Sequence, residues 1–182
     1  MEHRLKTPLT VDDVRNLCAG DLVWISGTIY TARDKVHALL RTEGRLPVDL
    51  NGAVLYHCGP LIRDDLVISA GPTTSSRMAR YTKEVVDKGV KAIIGKGGIS
   101  EASEHLRSQA VYLAYPGGCG ALASRHLKVI DVHLAVLGMA EALWVFEAEE
   151  FGPLVVAMDS LGRDLYQEAR LSAEANLRSR RS

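Results

Sequence analysis

Leu66-Val67-Ile68-Ser69-Ala70-Gly71-Pro72-Thr73-Thr74-Ser75-Ser76-Arg77 passes from an apolar, β-branched run through a Gly-Pro turn into four hydroxyl residues and an arginine. The first five residues have the composition of a strand, and Gly-Pro punctuates it. Small hydroxyl residues favour helix starts because their oxygens accept hydrogen bonds from free backbone N–H groups. A strand, a tight turn and a helix reaching Lys88-Gly89 form the repeating unit of an α/β fold.

The pattern continues on both sides. Downstream, residues 91–94 read as a short apolar strand ending in Gly95-Lys96-Gly97-Gly98. A polar helix over 100–109, a strand over 111–115, the loop Pro116-Gly117-Gly118-Cys119-Gly120 and a helix over 121–127 follow. Strands over 141–148 and 154–159 are separated by Glu150-Phe151-Gly152-Pro153, and a helix spans 164–175. Upstream, a Thr10-capped helix runs to Gly20 and a strand covers 21–30. A helix then opens at Thr31-Ala32-Arg33-Asp34 and closes at Glu43-Gly44, before a strand over 54–56. Alternation of this kind predicts an α/β fold.

The chain has 182 residues, 47% of them apolar, which suits a single domain over 1–182 with a real core. No apolar run has membrane-spanning length. Residues 1–6 lack the apolar core of a signal peptide, so the expected location is cytoplasmic. Lys plus Arg and Asp plus Glu each number 22, which offers no electrostatic argument for a nucleic-acid partner. Residues 176–182 are expected to form a flexible basic tail. Cys18, Cys58 and Cys119 are far apart, without a CxxC pair, and are expected to be small buried thiols and not metal ligands.

Three stretches carry candidate chemistry. In the first, Thr73 and Arg77 are four apart and would share a helix face, offering a hydroxyl, backbone donors and a guanidinium to a carboxylate. The same spacing also suits an ordinary capped helix with a surface arginine. In the second, Lys96 stands at the end of an apolar strand between glycines, where α/β sheets bind ligands. It lacks the P-loop pattern, and a plain turn is the alternative. In the third, Arg33 opens a helix whose dipole opposes it, so an anionic ligand would account for it. Asp34 and His37 would orient that region, the alternative for His37 being a solvent-facing or internally bonded helix residue. The glycines at 117–120 read as close packing.

Together SGTIYTARDKVH (26–37), LYHCGP (55–60), ISAGPTTSSRM (68–78), IIGKGG (93–98), YPGGCGAL (115–122) and EALWVFEAEEFGPLVVAMDSLG (141–162) resemble the class I fumarate hydratase C-terminal family. The resemblance implies a single swivelling β/β/α domain. It implies the beta subunit of a hetero-oligomeric hydro-lyase, inactive without an alpha subunit that holds a four-iron, four-sulfur cluster. The implied reaction is hydration of fumarate to L-malate, or dehydration of L(+)-tartrate. Arg33, Arg77 and Lys96 would then bind carboxylate oxygens, with Thr74 in the pocket and Thr73 as the base for the carbon-bound proton. Three cations would balance the two charges of a dicarboxylate. A non-catalytic anion-binding domain is the reading from another class.

Overall fold

The computed structural model describes residues 1–179 as one α/β unit. Among the described residues there are nine strands: β1 (Glu2–Lys6), β2 (Leu22–Thr31), β3 (Val54–Tyr56), β4 (Leu61–Arg63), β5 (Leu66–Ser69), β6 (Ala92–Gly95), β7 (Val111–Ala114), β8 (Leu127–His133) and β9 (Leu143–Met158). The helices are α1 (Val11–Arg15), α2 (Asp34–Glu43), α3 (Thr82–Asp87), α4 (Gly120–Ala123) and α5 (Leu165–Ser179).

Seven strands form a mixed sheet in the order β1-β2-β3-β6-β7-β9-β8. A further pairing of β2 with β9 closes β2, β3, β6, β7 and β9 into a small barrel. The three middle strands, β3, β6 and β7, run parallel and are buried on both faces. Their near-continuous apolar runs follow from that, since neither face meets water. Alternate residues serve two cores. Val54, Tyr56, Ile94 and Leu113 point into the barrel with Ile25, Phe146 and Phe151. Leu55, Ile93 and Tyr112 pack outward against Val36 and Leu40 of α2, Val85 and Val86 of α3, and Leu106.

Several elements differ from expectation. β5 pairs only with β4, so the strand that leads to Thr73 belongs to a separate two-stranded hairpin. Its Leu66 and Ile68 are exposed, and only the opposite face, with Val67, is half-buried against the core. The expected helix after it is a 3-10 turn over Ser75–Tyr81 that passes into α3. The two final strands are one 16-residue strand, because Gly152-Pro153 fits between ladder pairs. The neighbouring pairs are Ile25–Phe151 and Val23–Leu154, the offset expected of a bulge. β1 and β8 carry the half-polar patterns of partly exposed strands and escaped the apolar criterion. Helix 10–20 shortens to α1, which leaves Cys18 beyond it and exposed; the expectation of a buried thiol fails there. Cys58 is buried and Cys119 half-buried. Residues 176–179 of the expected tail are exposed helix, and 180–182 lie outside the described residues. No helix among the described residues is long and apolar enough to cross a membrane.

Candidate active site

The candidate site lies beyond the carboxyl ends of β3 and β6, where parallel strands leave backbone groups free to meet other segments. Residues 73–75 fill that position. Thr73 N–H donates to His57 C=O at 2.7 Å, just past β3. Ser75 N–H donates to Lys96 C=O at 2.9 Å, and Lys96 N–H to Thr73 C=O at 3.3 Å, just past β6. Thr74 thereby sits beside Lys96 as an isolated parallel bridge. Thr74 precedes the 3-10 turn, yet its side chain makes no capping bond. The hydroxyls are therefore not an ordinary helix cap.

Arg77 links two of the other expected residues. Its Nη2–H groups donate to Thr73 Oγ1 at 3.2 Å and to Asp34 Oδ2 at 3.1 Å, while Nε–H reaches Asp34 Oδ1 at 3.4 Å. Thr73 and Arg77 meet although Thr73 precedes the helical turn. The Arg77 hydrogen bond pulls Asp34 below the usual carboxylate pKa, against a smaller opposing effect of burial. The Arg77 pKa rises in turn, chiefly through that hydrogen bond to Asp34.

Arg33 occupies the residue before α2 and provides no capping bond. Glu141, from the loop before β9, supplies one: Lys35 N–H donates to Glu141 Oε2 at 3.0 Å. The same carboxylate stands 3.3 Å from Arg33 Nε, and Arg33 Nη1–H donates to Ala140 C=O at 3.4 Å. An internal acid thus answers the question of why an arginine opens this helix. A Cβ on Gly59 would lie 2.5 Å from Arg33 Nη1 and 2.8 Å from Ala140 O, so glycine there leaves room for the guanidinium.

Lys96 is the remaining cation. Among the described residues its ammonium has neither a carboxylate nor a hydrogen-bond partner. Its stem runs over Gly117, where a Cβ would stand 3.3 Å from Cδ and 3.5 Å from Nζ. The Gly117 loop, expected only to pack, therefore shapes the lysine's path. The charge count also changes: two of the three cations already face carboxylates, Asp34 and Glu141, and Lys96 alone is unneutralised. His37 does not enter the rim. It is 1% exposed and contacts His57 beneath. Glu141, Gly59, Gly117 and His57 were not singled out individually from sequence. Their roles depend on residues far along the chain, which no local spacing reveals.

No group of three His, Cys, Asp or Glu side chains among the described residues is placed to hold a metal ion. A hydroxyl and three cations, two of them already paired with carboxylates, thus gather on the rim of an α/β domain and offer an anion hydrogen-bond donors and one uncompensated positive charge.

The chain belongs to the fumarase C-terminus family, whose model matches residues 2–169. It is 37% identical to the L(+)-tartrate dehydratase subunit beta of Escherichia coli K12, over 92% of this chain and 88% of that one. It is 44% identical to the putative L(+)-tartrate dehydratase subunit beta of Methanocaldococcus jannaschii, over 88% and 89%. It is 36% identical to the putative fumarate hydratase class I of Geobacillus stearothermophilus, over 93% of this chain but 34% of that longer one.

Proposed function

We propose that this chain is the beta subunit of a hydro-lyase that adds water to, or removes it from, a four-carbon dicarboxylate. The observation that carries this reading is the Asp34–Arg77–Thr73 chain lying beside the uncompensated Lys96. Lys96 would take one carboxylate as a direct charge partner. Arg77 and Arg33 have planar guanidinium groups suited to two-point carboxylate binding, and both would share their present acids with the substrate. Thr73 Oγ1 accepts from Arg77, an arrangement that favours negative charge on the oxygen. With its own proton first passed to a carboxylate of the partner subunit, the Thr73 alkoxide would take the proton from the carbon next to a substrate carboxylate as hydroxide leaves the neighbouring carbon, and that partner acid would return its proton to the hydroxide to give water. Thr74 would line the pocket.

The resemblance assigns the four-iron, four-sulfur cluster to a partner alpha subunit; when bound there it supplies Lewis-acid activation of the departing hydroxyl. Among the described residues no three His, Cys, Asp or Glu side chains are placed to hold it, and the roles given to Thr73, Arg33, Arg77 and Lys96 belong to this chain's own side chains. The same resemblance supports reading the closed sheet and its outer helices as a swivelling β/β/α domain over 1–182 in a cytoplasmic hetero-oligomer.

L-Malate and fumarate are the first substrates. L(+)-Tartrate is the second reading, favoured by the names of the two relatives that match over nearly their full length. Anaerobic co-expression with a candidate alpha chain, followed by absorbance assays with malate and tartrate, tests both. Turnover that disappears without this chain supports the proposal. An intact complex inert toward both substrates refutes it, and a thermal shift of the chain alone with malate would then favour an anion-binding domain.

A further inference from the structure

Beneath the turn at 73–75 runs a line of side chains that the chemistry above does not use. His37 Nε2 lies 3.2 Å from His57 Nε2, and His57 Nδ1 lies 2.8 Å from Ser75 Oγ. Tyr112 O–H donates to Ser75 Oγ at 3.0 Å, and Gly98 N–H donates to Tyr112 Oη at 3.3 Å. All four side chains are buried, and they come from α2, the end of β3, the turn and β7. His37 is also stacked on Tyr81, with ring planes 8° apart. Gly95 completes the arrangement, since a Cβ there would overlap Ser75 Oγ and stand 3.0 Å from Tyr112 Oη.

Burial keeps both imidazoles neutral. A neutral imidazole has one N–H and one bare nitrogen. The line therefore runs in one of two senses. Either Ser75 O–H donates to His57 Nδ1 and His57 Nε2–H to His37 Nε2, or both bonds are reversed. In each case His37 Nδ1 remains buried without a partner. Such an orphan costs free energy, and an apolar set of the same shape would avoid it. Stability alone does not explain these residues.

Geometry does. His57 holds the segment at both ends: its C=O takes the Thr73 N–H, and its ring meets Ser75 Oγ. Through His37 the line reaches α2, whose first turn carries Asp34 and follows Arg33. We propose that His57, Ser75 and Tyr112, together with His37, are positioning residues that hold Thr73, Thr74 and Arg77 in register with α2 and β6. This rests on the hydro-lyase reading above.

Ser75→Ala, His57→Gln and Tyr112→Phe test it in the assembled enzyme and in the full chain alone. Misplacement of reacting groups by an ångström can cost about 100-fold in rate, so Ser75→Ala and His57→Gln should lower kcat by roughly 10- to 100-fold. KM should change less than kcat, because the carboxylate contacts are shifted but none is removed. The double variant should be no worse than the worse single, since one line is cut twice. Tyr112→Phe, which changes one atom, should cost less and guards against a misfolded Ser75 or His57 variant. In the isolated chain, Ser75→Ala should move the amide NMR signals of Asp34 and residues 73–77 and leave the barrel signals in place. Wild-type kcat in all three variants overturns the proposal. So does an unmoved spectrum at 73–77, whatever the activity. A wild-type complex inert toward both dicarboxylates refutes the hydro-lyase reading instead, and the spectrum then decides the positioning role by itself.

Discussion

His37 and His57 give the molecule an acid-sensitive interior. Burial pushes the His37 pKa down to about 4, against smaller opposite effects of Asp34 and Glu84. Burial, then His37 and Arg77, push His57 well below its usual value. An unfolded imidazole binds a proton near pH 6.5, whereas these do so only at lower pH. The unfolded state therefore holds more protons as pH falls from about 6.5 toward 4, and stability falls with it. His37 contributes roughly 1.4 kcal/mol per pH unit across that window, and His57 acts in the same direction. Urea unfolding at pH 7.5 and 5.0 should show the loss, and His37→Phe should flatten it. Asp34 behaves differently. With more than a third of its side chain exposed, its pair with Arg77 is screened, so Asp34→Asn should change stability by no more than about 1 kcal/mol. Turnover should nonetheless fall, because Arg77 loses the acid that aims it at Thr73. Unchanged turnover would mean that Thr73 alone orients the guanidinium.

Among the elements, the loops that end at glycine decide where the cations go. Gly59→Ala would press on Arg33 and Ala140, and should raise KM for the dicarboxylate about tenfold while the barrel remains folded, a 1.4 kcal/mol loss of binding. Steady-state kinetics and near-UV circular dichroism measure the two parts. This level also shows what could be read from sequence. Short apolar runs identified β3, β6 and β7, because a strand buried on both faces announces itself by composition. β1 and β8 were invisible to that criterion, since their residues alternate with exposed positions. The Gly-Pro turn before Thr73 is legible, but nothing local shows that its strand pairs with β4 outside the main sheet, since partner choice is a tertiary property. Thr73, Arg77 and Asp34 were legible through their local motifs and do meet. His37 was noticed without its partners, and Glu141 was missed because 106 residues separate it from the Lys35 N–H that it receives.

For the molecule as a whole, the barrel interior carries the stability. Phe151 is fully buried, with Tyr56 and Tyr115 rings 5.3 and 5.1 Å away. Phe151→Ala should cost about 3–5 kcal/mol, read as a lower denaturation midpoint, because the closed ring of strands collapses poorly around a hole. Closure itself has a further consequence, in the order of events during synthesis. β2 ends at Thr31, but its antiparallel partner β9 ends at Met158. A ribosome must translate nearly the whole domain before the ring can shut. Until then the nascent chain presents an open edge of β2 and the uncovered apolar faces of β3, β6 and β7. Pairings this distant in sequence fold slowly, and exposed strand edges invite association with other chains. The window in which this protein most needs a chaperone is therefore the interval before its last strand leaves the exit tunnel.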